Sequence, residues 1–255
     1  MLPLPLVEKC ATPMQTMHET AMNVRLIQYT PLCDAAVALG GKMCYSDADL
    51  DDMIQGVIDK DSSAMIRRII NSGHESVLEH VSFTFAISGV SRALLAQITR
   101  HRMASFSVRS QRYVNYDKGF NYVIPPAIEK LGEDAIAEYR AQMEQMNKWY
   151  REWTEKLGSG EKANEDARFV LPNACETSML VTMNARELRH FFELRMCRRA
   201  QWEIRALATI MWTLCKSECP VLFEDAGPSC IRGKCAEGNK SCGKPLKHQL
   251  ETYDE

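Results

Sequence analysis

The segment Arg100-His-Arg-Met-Ala-Ser-Phe-Ser-Val-Arg-Ser-Gln-Arg112 holds four arginines, one histidine, three serines and no acidic residue. Guanidinium forks match phosphate oxygens two at a time, and hydroxyls fill the remaining lone pairs, so such a run can clamp a phosphate. A basic run is more often only a solvated loop. Two features weigh against that here: the segment has no carboxylate of its own, and a second cluster of base follows at Arg195, Arg198 and Arg199. Ser110 also sits in the segment. A serine attacks a substrate only when a base stands beside it, and no spacing between Arg100 and Tyr113 guarantees one, so a positioning role is favoured over a nucleophilic one.

The second cluster lies in a helical pattern. At 100° per residue Leu188, Phe191, Phe192, Arg195, Arg199 and Trp202 fall on one stripe. Glu203, one turn beyond Arg199, is expected to pair with it. Arg195 has no such neighbour, since Phe191, Phe192, Arg198 and Arg199 occupy the positions three and four away. A buried guanidinium without a partner is costly, so its partner is either a carboxylate on another element or a ligand. His190 projects from nearly the opposite side of that helix.

Two other groups invite a metal reading. His74, Glu79 and His80 are close in sequence, but His-x4-Glu-His does not place three ligands on one side. The tail reads Cys219-x10-Cys230-x4-Cys235-x6-Cys242, without the C-x2-C knuckles that make zinc assignments strong. Reduced, partly exposed thiols are the expectation there, with a structural metal the alternative.

The elements that must position these residues mix helices and strands without regular βαβ alternation. Strands are expected at residues 23–29, 81–87, 120–124 and 176–183. Helices are expected from Asp34, ended early by Gly40-Gly41; from Ser63, capped by the serine pair and ended by Gly73; from Ser91 to about Ala104; over residues 133–157, long and exposed, stopped by Gly158-Ser-Gly160; and from Glu187 to about Cys215, as one helix or two in series. The expected fold class is α+β, an antiparallel or mixed central sheet flanked by helices, in a single domain over residues 22–223. Residues 1–21 are expected to form an N-terminal extension that is not part of the core, and residues 224–255 a Cys-containing tail. No G-x-G-x-x-G follows a strand, which argues against a Rossmann site.

Apolar residues make up 45% of the chain, charged residues 25%, and the net charge is −2. This is the mix of a globular protein, with no global field to draw it onto nucleic acid or an anionic membrane. No apolar run is long enough to span a bilayer, and the start of the chain lacks the pattern of a signal peptide, so a cytoplasmic location is expected.

Arg100-His101-Arg102, seven residues, then Ser110, continued by Arg112-Tyr113, resembles the signature of the flavin-dependent thymidylate synthases. Gly73-His-Glu-Ser-Val-Leu-Glu-His80, Ala167-Arg-Phe-Val-Leu-Pro172, Asn184-Ala-Arg186 and Leu194-Arg195 leading to Ala200-Gln-Trp-Glu-Ile204 resemble further blocks of that family, in the same order. The resemblance implies FAD as cofactor, NADPH and methylene-tetrahydrofolate as co-substrates, and methylation of dUMP to dTMP in a homotetramer with sites shared between subunits. By similarity His74, Ser76, Arg100, His101, Arg102, Asn184, Arg186 and His190 contact FAD. Gln97, Arg100, Ser110, Arg112, Arg168 and Arg195 hold dUMP, with Arg195 and Ser110 nearest the chemistry. No metal is implied. At Val108, where many relatives carry Glu or Gln, this chain departs from the pattern and only a backbone contact can remain.

In this reading the flavin carries the hard chemistry and the protein supplies orientation and charge. A fixed cation at Arg195 favours negative charge developing on the pyrimidine. The rival classes are a nucleic-acid-binding protein using the arginine segment, disfavoured by thin aromatic interleaving and acidic balance, and a metal-binding module at the C-terminus.

Overall fold

The computed structural model describes residue 17 and residues 19–246. In chain order the elements are β1 (Asn23–Tyr29), α1 (Cys33–Tyr45), α2 (Leu50–Ile58), α3 (Ser63–Asn71), a 3-10 turn (Glu75–His80), β2 (Ser82–Ser91), α4 (Arg92–Ile98) and β3 (Ala104–Val108). There follow α5 (Pro126–Glu129), α6 (Glu133–Leu157), α7 (Gly160–Ala167), β4 (Glu176–Asn184), α8 (Ala185–Arg195), α9 (Trp202–Glu218) and α10 (Pro220–Phe223). The four strands make one antiparallel sheet in the order β1-β2-β4-β3, flanked by helices. The α+β expectation, with a long exposed helix over residues 133–157, is met.

The chain divides into two compact units, with residues 109–176 inserted between β3 and β4. The sheet belongs to the unit formed by residues 22–108 and 177 onward. Its central strand β2 alternates Phe83, Phe85 and Ile87 into a core that also takes Leu94, Ile98, Phe191, Phe192 and Phe223. On the other face of β2 Thr84 is buried and meets Thr182 of β4 hydroxyl to hydroxyl at 2.9 Å. A buried hydroxyl needs such a partner.

Gly40 and Gly41 do not end α1, contrary to expectation. A Cβ on Gly41 would stand 2.7 Å from Ile69 Cδ1 and 2.8 Å from Met65 Cε, and one on Gly40 would stand 3.3 Å from Val77. The pair lets α1 lie close on α3 and the 3-10 turn, and that packing overrides glycine's poor helix propensity. Cys219 is not a reduced, partly exposed thiol either. It is buried and joined to Cys33 in a disulfide that ties the start of α1 to the end of α9.

The helix expected from Ser91 to Ala104 stops at Ile98, and the following Ala104–Val108 pairs with β4 as the strand β3. The arginine segment is therefore part strand. Its alternation, Ala-Ser-Phe-Ser-Val, suits the free edge of β4, and tertiary pairing decides what a basic pattern conceals.

The other unit packs Tyr116, Phe120, Tyr122, Met143 and Tyr150 together. Helix α6 turns Met143, Asn147, Tyr150 and Thr154 inward at helical spacing. The strand expected over 120–124 reduces to single bridges from Tyr122, parallel to Glu19 and antiparallel to Cys175. Gly119, at φ 117°, turns the chain just before it, and Pro125 and Pro126 have no N–H to continue a ladder after it. Of the extension expected over residues 1–21, Met17 packs on this core and Thr20 donates its N–H to the Tyr122 carbonyl at 3.1 Å. Residues 1–16 and residue 18 lie outside the described residues.

Candidate active site

Helix α4 is the first positioning element. Its N-cap, Ser91, accepts from Leu94 N–H at 3.0 Å, and the Ser91 N–H and O–H both go to the carboxylate of Glu203 on α9. Glu203 is only 2% exposed and its oxygens are satisfied there. Contrary to expectation, it does not pair with Arg199. The long helix breaks after Arg195, where Gln201 caps α9 through its side chain, accepting from Glu203 N–H and Ile204 N–H. The apolar stripe therefore ends at Arg195, and Arg199 is free to donate to the carbonyl of Lys240.

Locked at its start, α4 delivers Gln97, Arg100, His101 and Arg102 at its end. His101 is 4% exposed, with its ring edge-on to Phe191 at 4.9 Å between centroids. Its Nδ1 lies 2.8 Å from Glu187 Oε1, and its Nε2 accepts from Arg195 Nε–H at 3.1 Å. An acceptor at Nε2 requires the proton to be on Nδ1, donated to the carboxylate, so the imidazole is neutral. Burial lowers the His101 pKa and the Arg195 charge lowers it further, against the hydrogen bond to Glu187, which raises it.

Both partners come from α8. Asn184 caps that helix, accepting from Glu187 N–H at 2.8 Å, and the Asn-x-x-Glu spacing of a capping box puts Glu187 in the first turn. Arg195 sits in the last turn, where the helix dipole favours a cation. Its pKa is lowered by burial first and by the nearby Arg100 second. Among the described residues Arg195 has no carboxylate partner: the imidazole takes the place expected for an acid. His190 does not stand apart on the opposite side. Its ring centroid is 5.9 Å from that of His101, so His101 touches both His190 and Arg195. Five residues along a helix separate two positions by about 140°, and a side chain facing the gap reaches both.

The remaining residues expected at a flavin site are more scattered. Arg100 and Arg102 are exposed and form no ion pair among the described residues. His74 is exposed and hydrogen-bonds Tyr45 through Nδ1 at 3.0 Å; Ser76 is exposed. Arg186 pairs with Glu79. In the other unit, Ser110 Oγ accepts from Arg112 N–H at 3.1 Å, and Arg112 is held by Glu161 at 2.6 Å and Glu165 at 3.0 Å. Arg168 donates Nε–H to the Glu165 carbonyl at 3.1 Å. Arg109 pairs with Glu176. Two of the four arginines in the segment thus have acids supplied from elsewhere in the chain, which the local absence of carboxylate did not reveal.

Two buried charged residues had no role in the sequence reading, Glu187 and Arg189. Arg189 donates to the Leu222 carbonyl at 2.6 Å and to Asp225 at 2.7 Å. The capping-box spacing is the signal that marks Glu187; nothing local marks Arg189. The exposed, unpaired guanidiniums of Arg100 and Arg102, next to a buried neutral imidazole, are a donor set that fits the diphosphate of a dinucleotide cofactor.

The family model described as thymidylate synthase complementing protein matches residues 25–221. A flavin-dependent thymidylate synthase from Geobacter sulfurreducens is 48% identical over 224 residues, covering 88% of this chain and 94% of the relative. One from Clostridium tetani is 44% identical over 236 residues, with the same coverage. Among solved structures, thymidylate synthase X from Helicobacter pylori, crystallised with FAD and dUMP, superposes with a TM-score of 0.61 at 25% identity, over 81% of this chain and 99% of that one. The UMP/dUMP methylase PolB from Streptomyces cacaoi shares the fold, with a TM-score of 0.68 at 23% identity, over 82% of this chain and 96% of that one. The likeness spans both units and includes the residues around His101 and Arg195: this chain belongs to the flavin-dependent thymidylate synthase family.

Proposed function

We propose that this protein methylates dUMP to dTMP, using methylene-tetrahydrofolate as carbon donor and FAD reduced by NADPH. The observation that carries the reading is the chain Glu187–His101–Arg195, which ends in a fixed guanidinium beside the unpaired Arg100 and Arg102. When bound, the reduced flavin supplies the hydride that completes the methyl group.

Each residue then has a task that its surroundings support. Arg100 and Arg102 neutralise cofactor phosphate, aided by Asn184, Arg186, His190, His74 and Ser76 at the flavin. Arg195 spends one N–H on His101, which leaves its terminal nitrogens for the pyrimidine of dUMP and fixes their direction. A cation set there before reaction stabilises the negative charge that grows as the uracil becomes nucleophilic. Gln97, Arg112 and Arg168 hold the remainder of the nucleotide. Ser110 accepts from Arg112 N–H and keeps its own O–H to donate. Among the described residues no histidine or carboxylate hydrogen-bonds that hydroxyl, which supports positioning over attack.

Family resemblance supports a homotetramer with sites shared between subunits, and a cytoplasmic location. Among the described residues no helix is long and apolar enough to cross a membrane. The test is the absorption spectrum of the purified protein with a titration of FAD, followed by tritium release from dUMP labelled at the methylated carbon. Saturable flavin binding and NADPH-dependent release are expected; a colourless protein that binds no flavin would overturn the proposal.

A further inference from the structure

We propose that Cys197, Cys230, Cys235 and Cys242 form a four-thiolate site for one zinc-class divalent ion, which fastens the C-terminal segment to the turn between α8 and α9. All four are free thiols, and all four line one cavity of about 90 Å³. The other free cysteines among the described residues, Cys44, Cys175 and Cys215, do not. The convergence is tertiary. Cys197 follows α8 directly, whereas the other three come from the tail. The tail spacing alone, read with Cys219, pointed nowhere, because Cys219 is committed to Cys33 and the fourth thiol comes from the helix turn.

The surroundings are those of a thiolate site. Leu246 N–H donates to Cys230 Sγ at 3.4 Å, so this sulfur already serves as an acceptor. Arg198 and Lys244 line the same cavity and offset the net negative charge that four thiolates leave around a divalent ion. Glu193 lines it too, and its carboxylate is 3.4 Å from Arg232. The tail itself has little to hold it otherwise. After Ala226 it is built of bends and two 3-10 turns, with glycines at positive φ at Gly233, Gly238 and Gly243, and it buries few side chains. A segment of this kind usually needs a staple.

Among the described residues no three His, Cys, Asp or Glu side chains stand close enough together to hold a metal ion as placed, so binding must draw the four thiols inward. The thiols surround the cavity, and the glycine-containing loops can bring them to the ~2.3 Å zinc–sulfur distance. Four soft sulfur ligands select zinc or an iron–sulfur cluster, and a small cavity fed by single thiols from short loops favours the lone ion. On binding, each thiol releases its proton to solvent and its sulfur lone pair forms the metal bond, with no change of oxidation state.

The full-length protein, purified without chelator, should hold about one zinc per chain by elemental analysis. Cys235→Ser and Cys242→Ser should lose most of that zinc and expose the tail to limited proteolysis, while Cys44→Ser retains it. Cobalt(II) added to chelator-treated wild type should give sulfur-to-cobalt charge-transfer absorption, a readout that survives if a serine variant folds poorly. Iron with inorganic sulfide in place of zinc would overturn the single-ion assignment. So would wild-type protein without metal, giving no cobalt absorption and four thiols equally reactive with and without zinc. FAD binding, measured on the same samples, stands apart from either result.

Discussion

Arg195 donates its Nε–H to Nε2 of His101 at 3.1 Å, although the two residues lie on different elements and both carry side chains that can be cations. The contact is possible because Glu187 accepts the hydrogen bond from the other ring nitrogen, at 2.8 Å, and because burial holds the imidazole neutral. A protonated His101 would have no lone pair for Arg195 and would repel it. The direction of the guanidinium, and with it the proposed grip on dUMP, therefore depends on a tautomer set by an acid on the far side of the ring.

Arg195→Ala should abolish thymidylate formation while leaving FAD binding largely intact. Arg195→Lys should also turn over poorly, because an ammonium can replace the charge but not the planar fork that reaches His101 and the nucleotide together. Tritium release and flavin titration on both variants provide the check, and near-normal turnover in Arg195→Ala would remove the residue from the substrate.

Glu187→Ala should cost about 1–3 kcal/mol of stability, the usual penalty when a buried donor such as His101 Nδ1–H loses its acceptor. Glu187→Gln keeps an acceptor oxygen in the same place and should cost less. Urea unfolding of the three proteins measures the difference. Equal stability of Glu187→Ala and wild type would mean that the pair contributes nothing to ordering His101.

Stability should fall as the pH drops below the ordinary histidine value of 6.5. With the folded pKa lowered, the unfolded chain binds a proton that buried His101 does not, so the stabilisation is fully present above 6.5. It is lost progressively down to the lowered folded pKa. Urea midpoints measured across this range should show the slope in wild type and a flatter one in His101→Gln. The same slope in both would assign the pH dependence to other groups.

Ser110→Ala should slow turnover by about 1–3 kcal/mol in the barrier, through lost hydrogen bonds, without eliminating it. No covalent adduct should form on this serine when turnover with dUMP or its fluorinated analogue is quenched and the peptides are examined by mass spectrometry. A nucleotide attached to Ser110 in wild type would overturn the positioning role.

Local pattern alone was enough for several parts of this protein. The helical composition of α6, with glycines at its end, needs no partner to be recognised, because helix propensity and a positive-φ stop are properties of the chain itself. The Arg-His-Arg block and its companions likewise identified the family, since anion-binding chemistry restricts residue type as well as spacing. What the local pattern could not decide were relationships between distant elements. Gly40 and Gly41 look like a helix end until close packing on Ile69 and Val77 is present. Ala104–Val108 looks like part of a basic loop until β4 offers its edge. Glu203 looks like a partner for Arg199 until Ser91 arrives from another element. Arg195 shows the limit most clearly: sequence marked it as a guanidinium in need of a partner, but only the fold could supply an imidazole, because the buried acid that makes His101 an acceptor stands 86 residues further along the chain.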